Sequence, residues 1–319
     1  LVARLEFGVY LPQVGVDFDL LLDRAIACER LGYDSFWLYD HLGAPGQPSR
    51  GSLEAWTVAT ALLARTSVLR VGHLVLCNNF RHPALLARMA TTLDVISGGR
   101  LELGIGSGSI ESEHRAAGLP WGSARERGDR LGEALEIITA MFAAPVTSFA
   151  GRHYQVDELT NLPGPVQQPR PPIHVGGAGP GFTLPLVARH ADVWNVPTYA
   201  LHRLAELNEV LDRECERIGR DPATLRRSVE GVLVIAPDDA VEAALTLARR
   251  RFGAPGYGLD AGGFTGSPDR VTDRIGELAD LGVSSFVFIT HDRASDETLG
   301  LFASDVMKHF PATAGVSGR

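Results

Sequence analysis

From Leu69 to Ser109 the chain reads as one complete strand, helix, strand unit, and few folds are built from such units. The apolar run Leu69 to Leu76 predicts a buried strand that leaves into the polar turn Cys77-Asn78-Asn79. A helix then begins at Pro83, whose fixed φ suits a first helical turn, and runs to the glycine stop Gly98-Gly99. The next strand, Arg100 to Leu103, opens straight into Gly104-Ile105-Gly106-Ser107-Gly108-Ser109. In parallel α/β folds the carboxyl ends of strands carry the loops that bind ligands. Two unusual strand exits in forty residues therefore predict a ligand site.

The same alternation continues along the chain. Further strands are expected at Leu5 to Leu11, Ser35 to Tyr39, Pro172 to Val175, Asp192 to Val196, Arg226 to Ile235 and Ser285 to Thr290. Helical patterns separate them at Leu20 to Leu31, Glu54 to Arg65, Arg125 to Phe142, Thr183 to Arg189, Leu201 to Ile218, Asp239 to Arg251 and Pro268 to Leu281. Leu31-Gly32-Tyr33-Asp34-Ser35-Phe36 is echoed by Leu281-Gly282-Val283-Ser284-Ser285-Phe286, a helix end, glycine cap and strand in both places. Eight such units make a (β/α)8 TIM barrel of about 250 residues, so residues 1–319 are read as one barrel domain with loop insertions. The surplus falls at Ile110 to Ser123, at Ala144 to Pro172, where a hairpin is expected over Thr147 to Val156, and at the glycine-rich Phe252 to Ser267.

A net charge of -8 lacks the basic face that nucleic acids or anionic membranes require. Cys28, Cys77 and Cys215 are too few and too scattered for a disulfide framework or a zinc knuckle. No apolar stretch reaches membrane-spanning length, so a cytoplasmic protein is expected. Lys308 is the sole lysine, which argues against a Schiff base or a lysine-built phosphate clamp.

Asp40-His41 follows the second strand, where barrel enzymes keep catalytic groups, and a histidine there can serve as general acid or base. A loop histidine that merely caps the barrel would look the same. The glycines at 104, 106 and 108 are spaced G-x-G-x-G, with no following acidic strand end, and so fail as a dinucleotide fingerprint. They either let backbone amides approach a ligand, with Ser107, Ser109 and Ser112 as added donors, or form a tight turn. Val175-Gly176-Gly177-Ala178-Gly179-Pro180-Gly181 opens a helix after a strand and is read as a phosphate cradle. His73 sits in an apolar strand as core histidines do, and Glu111-Ser112-Glu113-His114 lacks the partners of a metal site, so no metal is expected.

These residues together resemble the luciferase-like monooxygenase superfamily, in its deazaflavin (coenzyme F420) oxidoreductase branch. The match is carried by Leu38-Tyr39-Asp40-His41, by Val71 to Asn78 with Arg81-His82-Pro83, and by Leu93 to Leu101. Pro171 to Gly177, Ala191 to Asn195 and Gly266 to Val271 extend it over nearly the whole chain. The resemblance implies F420 at the strand ends, Asp40 bonding its ring and His41 as the acid or base beside it. It also implies a non-prolyl cis peptide at Leu74-Val75 behind the ring, and a phosphate-bearing tail along Ser107-Gly108 and Gly176 to Gly179. The full implied cofactor set is Asp40, His73, Leu74, Val75, Cys77, Gly106, Ser107, Gly108, Ser112, Val175, Gly176, Gly177, Ala178 and Gly179. A homodimer is a further family expectation.

Sugar-phosphate dehydrogenases of the branch carry an acid after the first glycine loop and a tryptophan shortly after the histidine, where this chain has Ser109 and Ala44. They also bind phosphate with lysines. The expected activity is thus hydride transfer between F420 and a small organic substrate other than a sugar phosphate, with reduction of an activated double bond favoured. FMN-dependent monooxygenation on the same barrel and a non-catalytic flavin or deazaflavin binder are the alternatives.

Overall fold

Each strand of the chain's main sheet pairs in parallel with the next, and the last returns to the first, closing a barrel. The computed structural model describes residues 4–46, 49–252, 259 and 263–310. Its barrel strands are β1 (Glu6–Tyr10), β2 (Ser35–Leu38), β3 (Arg70–His73) continued by β4 (Leu76–Cys77), and β5 (Leu101–Gly106). After the hairpin β6 (Val146–Ala150) and β7 (Gln155–Thr160), the barrel resumes with β8 (Ile173–Gly176), β9 (Val193–Val196) and β10 (Arg226–Ile235). A short β11 (Phe264–Gly266) pairs with β10, and β12 (Ser285–Thr290) closes the ring between β10 and β1.

The helices form the outer layer: α1 (Phe18–Leu31), α2 (Ala55–Arg65), α3 (Pro83–Ser97), α4 (Glu111–Ala116) and α5 (Ala124–Ala143). α6 (Thr183–His190), α7 (Leu204–Arg217), α8 (Val241–Phe252), α9 (Pro268–Asp280) and α10 (Asp296–Asp305) complete it. Local chemistry sets the ends. Asp17 caps α1 by accepting from Leu20 N at 2.9 Å, and Gly32 closes it in the left-handed region at φ +81. Pro83 opens α3 and Gly98 ends it at φ +66, as the sequence predicts.

All eight expected barrel strands are present, with ends that shift by a few residues, and the expected hairpin is there as β6–β7. The stretch 110–123, read as an insertion, holds the short helix α4, and α10 is a helix for which the sequence offered no expectation. Most of the glycine-rich stretch 252–267 lies outside the described residues.

Inside the barrel Trp37 packs over a glycine on each neighbouring strand, Gly8 of β1 and Gly72 of β3. A Cβ on Gly8 would come within 2.8 Å of its Nε1, and one on Gly72 within 2.6 Å of its ring. Below it the barrel is polar: Arg70 bonds Glu6 and Glu102, both at 2.9 Å, Arg226 bonds Glu6, and His174 Nε2 lies 2.7 Å from Glu102. Glu102 is 2% exposed, yet these partners outweigh burial and hold its pKa below the ordinary value. This ion-paired cluster fills the lower half, and the main cavity lies at the carboxyl ends of the strands.

Candidate active site

At that open end lies a cavity of about 350 Å³, within the range of small-molecule sites. One wall comes from the end of β2, with Tyr39, Asp40 and His41. The strand break between β3 and β4 adds Leu74, Val75 and Cys77, and the exit of β5 adds Gly106, Ser107, Gly108 and Ser109. Across the mouth stand Gly176 to Gly179, Asn195, Tyr199 and Glu230.

His41 is not a free cap. Its Nδ1 lies 2.9 Å from Glu113 Oε2, and the other carboxylate oxygen of Glu113 accepts from the backbone N–H groups of Leu42 and Gly43. The Tyr39 ring packs on the imidazole at 4.9 Å. With Nδ1 engaged, Nε2 is the ring nitrogen left for a reacting group. Glu113 stands in the first turn of α4, so the segment rejected as a metal site supplies the partner of the histidine instead. The contact spans 72 residues of sequence. The only sequence sign of it was acidic residues opening a short helix.

Asp40 is buried and doubly engaged. Arg81 grips it through two bonds of 2.7 and 3.0 Å, and Cys77 N donates to it at 2.9 Å. Asp40 thereby ties the end of β2 to β4, and what it offers the cavity is the remaining lone-pair capacity of a saturated ion pair. Burial pushes the Cys77 thiol up to about 12, so it is no nucleophile. Its Sγ lies 3.5 Å from Nε2 of His114, whose Nδ1 bonds Ile110 O at 2.8 Å, which anchors α4 under the glycine turn.

The peptide bond between Leu74 and Val75 is cis. The Val75 side chain stands against glycines on two neighbouring strands. A Cβ on Gly106 would come within 2.8 Å of Val75 Cγ2, and one on Gly176 within 3.1 Å of Cγ1. Gly108, at φ +86, has Cys77 Sγ 2.9 Å from where its Cβ would be, and Gly179 has Thr183 Oγ1 at 3.1 Å. The glycines therefore make the room that Val75, Cys77 and Thr183 occupy, and they form a wall of the cavity with no side chains of their own. Asn195 Oδ1 is buried there without a hydrogen-bond partner, as a group awaiting a ligand would be.

Of the residues singled out in sequence, Asp40, His41, Leu74, Val75, Cys77, Gly106, Ser107, Gly108, Gly176, Gly177, Ala178 and Gly179 line this one cavity. Three do not. His73 is fully buried on the outer side of its strand, stacked on Trp56 at 5.2 Å, and burial pushes its pKa down to about 4. Val175 is in the core, and Ser112 lines an adjoining apolar recess with Leu42, Ala44 and Ile110. None of the four tryptophans lines the cavity, and Trp37 and Trp194 are core residues. Tyr199 and Glu230 are among the cavity residues to which sequence assigned no role, and Glu113 and Asn195 were named there without one in this site.

The glycine-lined cavity and the carboxylate-held histidine thus stand at the carboxyl ends of the parallel strands, where barrel enzymes keep their active sites. The chain belongs to the luciferase-like monooxygenase family, whose model matches residues 5–257. It is 33% identical over 249 residues to an F420-dependent hydroxymycolic acid dehydrogenase of Mycobacterium tuberculosis, covering 77% of this chain and 68% of that one. It is 37% identical over 164 residues to an F420-dependent glucose-6-phosphate dehydrogenase of Microbacterium testaceum, covering 51% and 48%. The chain thus matches about half the length of that second relative. A solved F420-dependent secondary alcohol dehydrogenase, in complex with an F420-acetone adduct, superimposes with a TM-score of 0.83 over 95% of this chain and 98% of that one. At 19% identity that likeness speaks for the fold.

Proposed function

We propose that this chain is an F420-dependent oxidoreductase that moves a hydride between the deazaflavin and a small organic substrate, with His41 giving or taking the matching proton. The observation that carries the reading is the His41–Glu113 pair on the wall of a glycine-cradled cavity. F420 fits the residues present: Gly106, Gly108, Gly176 and Gly179 line the cavity without side chains of their own, and Asn195 Oδ1 is a buried acceptor without a partner. Relatives at 31–37% identity that are named as F420-dependent dehydrogenases favour the deazaflavin over FMN.

When bound, F420 supplies a ring that carries two electrons as a hydride. The chain does the rest. Leu74 and Val75 would lie behind the ring, and the loops 106–108 and 176–179, which line the same cavity, would offer it backbone amides. Glu113 fixes the imidazole so that Nε2 faces the cavity in one orientation, and a proton moves at that atom. Arg81 and the Cys77 amide hold Asp40, which keeps the β2 and β4 ends in register around the site.

A cytoplasmic homodimer completes the proposal. Among the described residues no helix is long and apolar enough to cross a membrane, and the three cysteines are free and buried. Exposed Leu85 and Ile96 on α3 support pairing through that helix.

Parallel titration of the purified chain with oxidised F420 and with FMN, followed by fluorescence quenching, tests the cofactor. Micromolar or tighter binding of F420 alone is expected, and binding of FMN alone would move the chain to flavin monooxygenation.

A further inference from the structure

Among the described residues the cavity is lined by the carboxyl groups of Asp40, Glu113 and Glu230, and the first two have their charge answered. Arg81 grips Asp40 through bonds of 2.7 and 3.0 Å, and Glu113 meets His41 and two backbone N–H groups. Glu230 differs. It stands on β10, and its carboxyl has no hydrogen bond or ion pair to a described residue, although Thr198 Oγ1 donates to its backbone carbonyl at 2.9 Å.

The elements around Glu230 bring no cation within bonding reach among the described residues. Its register partner on β12 is Val287, and Val229 beside it pairs with Val196 of β9. Tyr199, in the 3-10 turn Thr198–Arg203 after β9, is the described titratable group that interacts with it, and the Tyr199 phenol is raised by burial and by the Glu230 charge. Across the cavity stand only the Asp40–Arg81 and His41–Glu113 pairs already described. Left without a cation, the Glu230 carboxyl is pushed up to about 7 by burial.

A positively charged ligand reverses that balance. It draws the carboxyl into its ionised form, and the carboxylate meets a charge that would be costly to take out of water alone. Tyr199 adds an aromatic ring to the same wall, and ring faces attract cations. The glycine loops 106–108 and 176–179 leave β5 and β8, whereas Glu230 is on β10 beyond β9, so a phosphate at the loops and a positive charge at Glu230 occupy different parts of the wall.

We propose that Glu230 is the counter-ion for a positively charged nitrogen on the substrate, so that the site takes an amine or its iminium form. This rests on the oxidoreductase reading and names its substrate class. When the hydride of that reading reaches the carbon of a C=N⁺ group, a C–H bond forms, the π pair moves to nitrogen and the positive charge is lost. His41 then gives the proton that returns the product amine to an ammonium, and oxidation runs through the same atoms in reverse.

Titration of the full, cofactor-free chain with cyclohexylammonium and with cyclohexanol, followed by saturation-transfer NMR from pH 6 to pH 8, tests the proposal. The cation is expected to bind at least ~10-fold more tightly than the alcohol at pH 8, which is ~1.4 kcal/mol. Its affinity should rise about tenfold from pH 6 to pH 8, because a carboxyl near 7 must release its proton to pair with it, while that of the alcohol should not rise. Glu230→Gln should lose both the preference and the rise, and Glu230→Asp should keep part of each. Circular dichroism checks that both variants are folded. Equal or tighter binding of the alcohol, binding of neither probe at millimolar concentration, or a preference and pH rise unmoved in folded Glu230→Gln would overturn the proposal. F420 quenching in the same samples keeps the two readings apart. Cation binding through Glu230 without F420 binding refutes the cofactor assignment alone, and F420 binding without the cation preference refutes the counter-ion alone.

Discussion

An imidazole held at Nδ1 by a carboxylate presents Nε2 in one orientation and one tautomer, and Glu113 imposes that state on His41 from a helix far along the chain. Removing the ring should therefore be costlier than removing its holder. His41→Ala is expected to lower kcat by about 10²–10⁴-fold with F420 affinity unchanged, as for loss of a general acid or base. Glu113→Gln should lose less, on the order of tenfold to a hundredfold, also in kcat and not in F420 affinity, with Glu113→Asp recovering part of it. A matching fall in F420 affinity would mark both as structural supports of the loop. Glu230 makes a prediction of opposite kind, read in stability. Its carboxyl, near 7 in the fold against an ordinary 4.5, holds a proton in the native state that the unfolded chain has released between those pH values. Stability must then fall as pH rises across that window. Glu230→Gln removes the effect, so its Tm should exceed that of the natural chain by more at pH 8 than at pH 5. The gain is a few degrees, at roughly 2–4 °C per kcal/mol for chains somewhat shorter than this one. A difference independent of pH would show that the carboxyl ionises normally.

At the scale of elements, the site depends on how closely β4, β5 and β8 approach one another around Val75. Gly106→Ala places a methyl 2.8 Å from Val75 Cγ2 and Gly176→Ala one 3.1 Å from Cγ1. Overpacking of this kind costs about 1–3 kcal/mol. If the contact itself is the cause, Val75→Ala should restore much of the stability lost in Gly106→Ala, and a double-mutant cycle in urea would read a coupling of ~1 kcal/mol or more. Strict additivity would place the cost elsewhere in the turn. The elements themselves were legible where period and punctuation agree: α3 between Pro83 and Gly98, and β12 over Ser285–Thr290, fall where the pattern puts them. α4 was not, because the six residues Glu111–Ala116, five of them polar, carry no apolar stripe. The glycines of both loops were visible, those at 104–108 with a tight turn as the alternative and those at 176–181 read as a phosphate cradle. Only the positions of Val75 and Cys77 show that space, as well as backbone freedom, is what those glycines provide.

For the whole molecule, the barrel was legible because each βα unit repeats one signal, whereas contacts across the barrel leave no trace in spacing. Glu6, Arg70, Glu102, His174 and Arg226 come from five strands and meet only after closure. The same limit applies to the outer surface, where α2 and α3 carry an apolar face. Leu85 and Ile96 are each 56% exposed on α3, and Trp56, Met89, Leu93 and Ile96 line a shallow recess between the two helices. Leu85, Met89, Thr92 and Ile96 recur at three- and four-residue steps, which makes a single stripe along the helix. A stripe that apolar and that exposed suits a two-fold contact, in which the patch meets its own copy. Trp56 links it to the site, since its inner face stacks on His73, directly before the Leu74-Val75 bond that borders the cavity. Sedimentation equilibrium should then give twice the chain mass for the natural protein. The Leu85→Glu, Ile96→Glu double variant should return the single mass, with a Tm that no longer rises with protein concentration. A natural chain that sediments as a monomer at tens of micromolar, or a variant that stays paired, would place the contact elsewhere and leave this face as ordinary exposed surface.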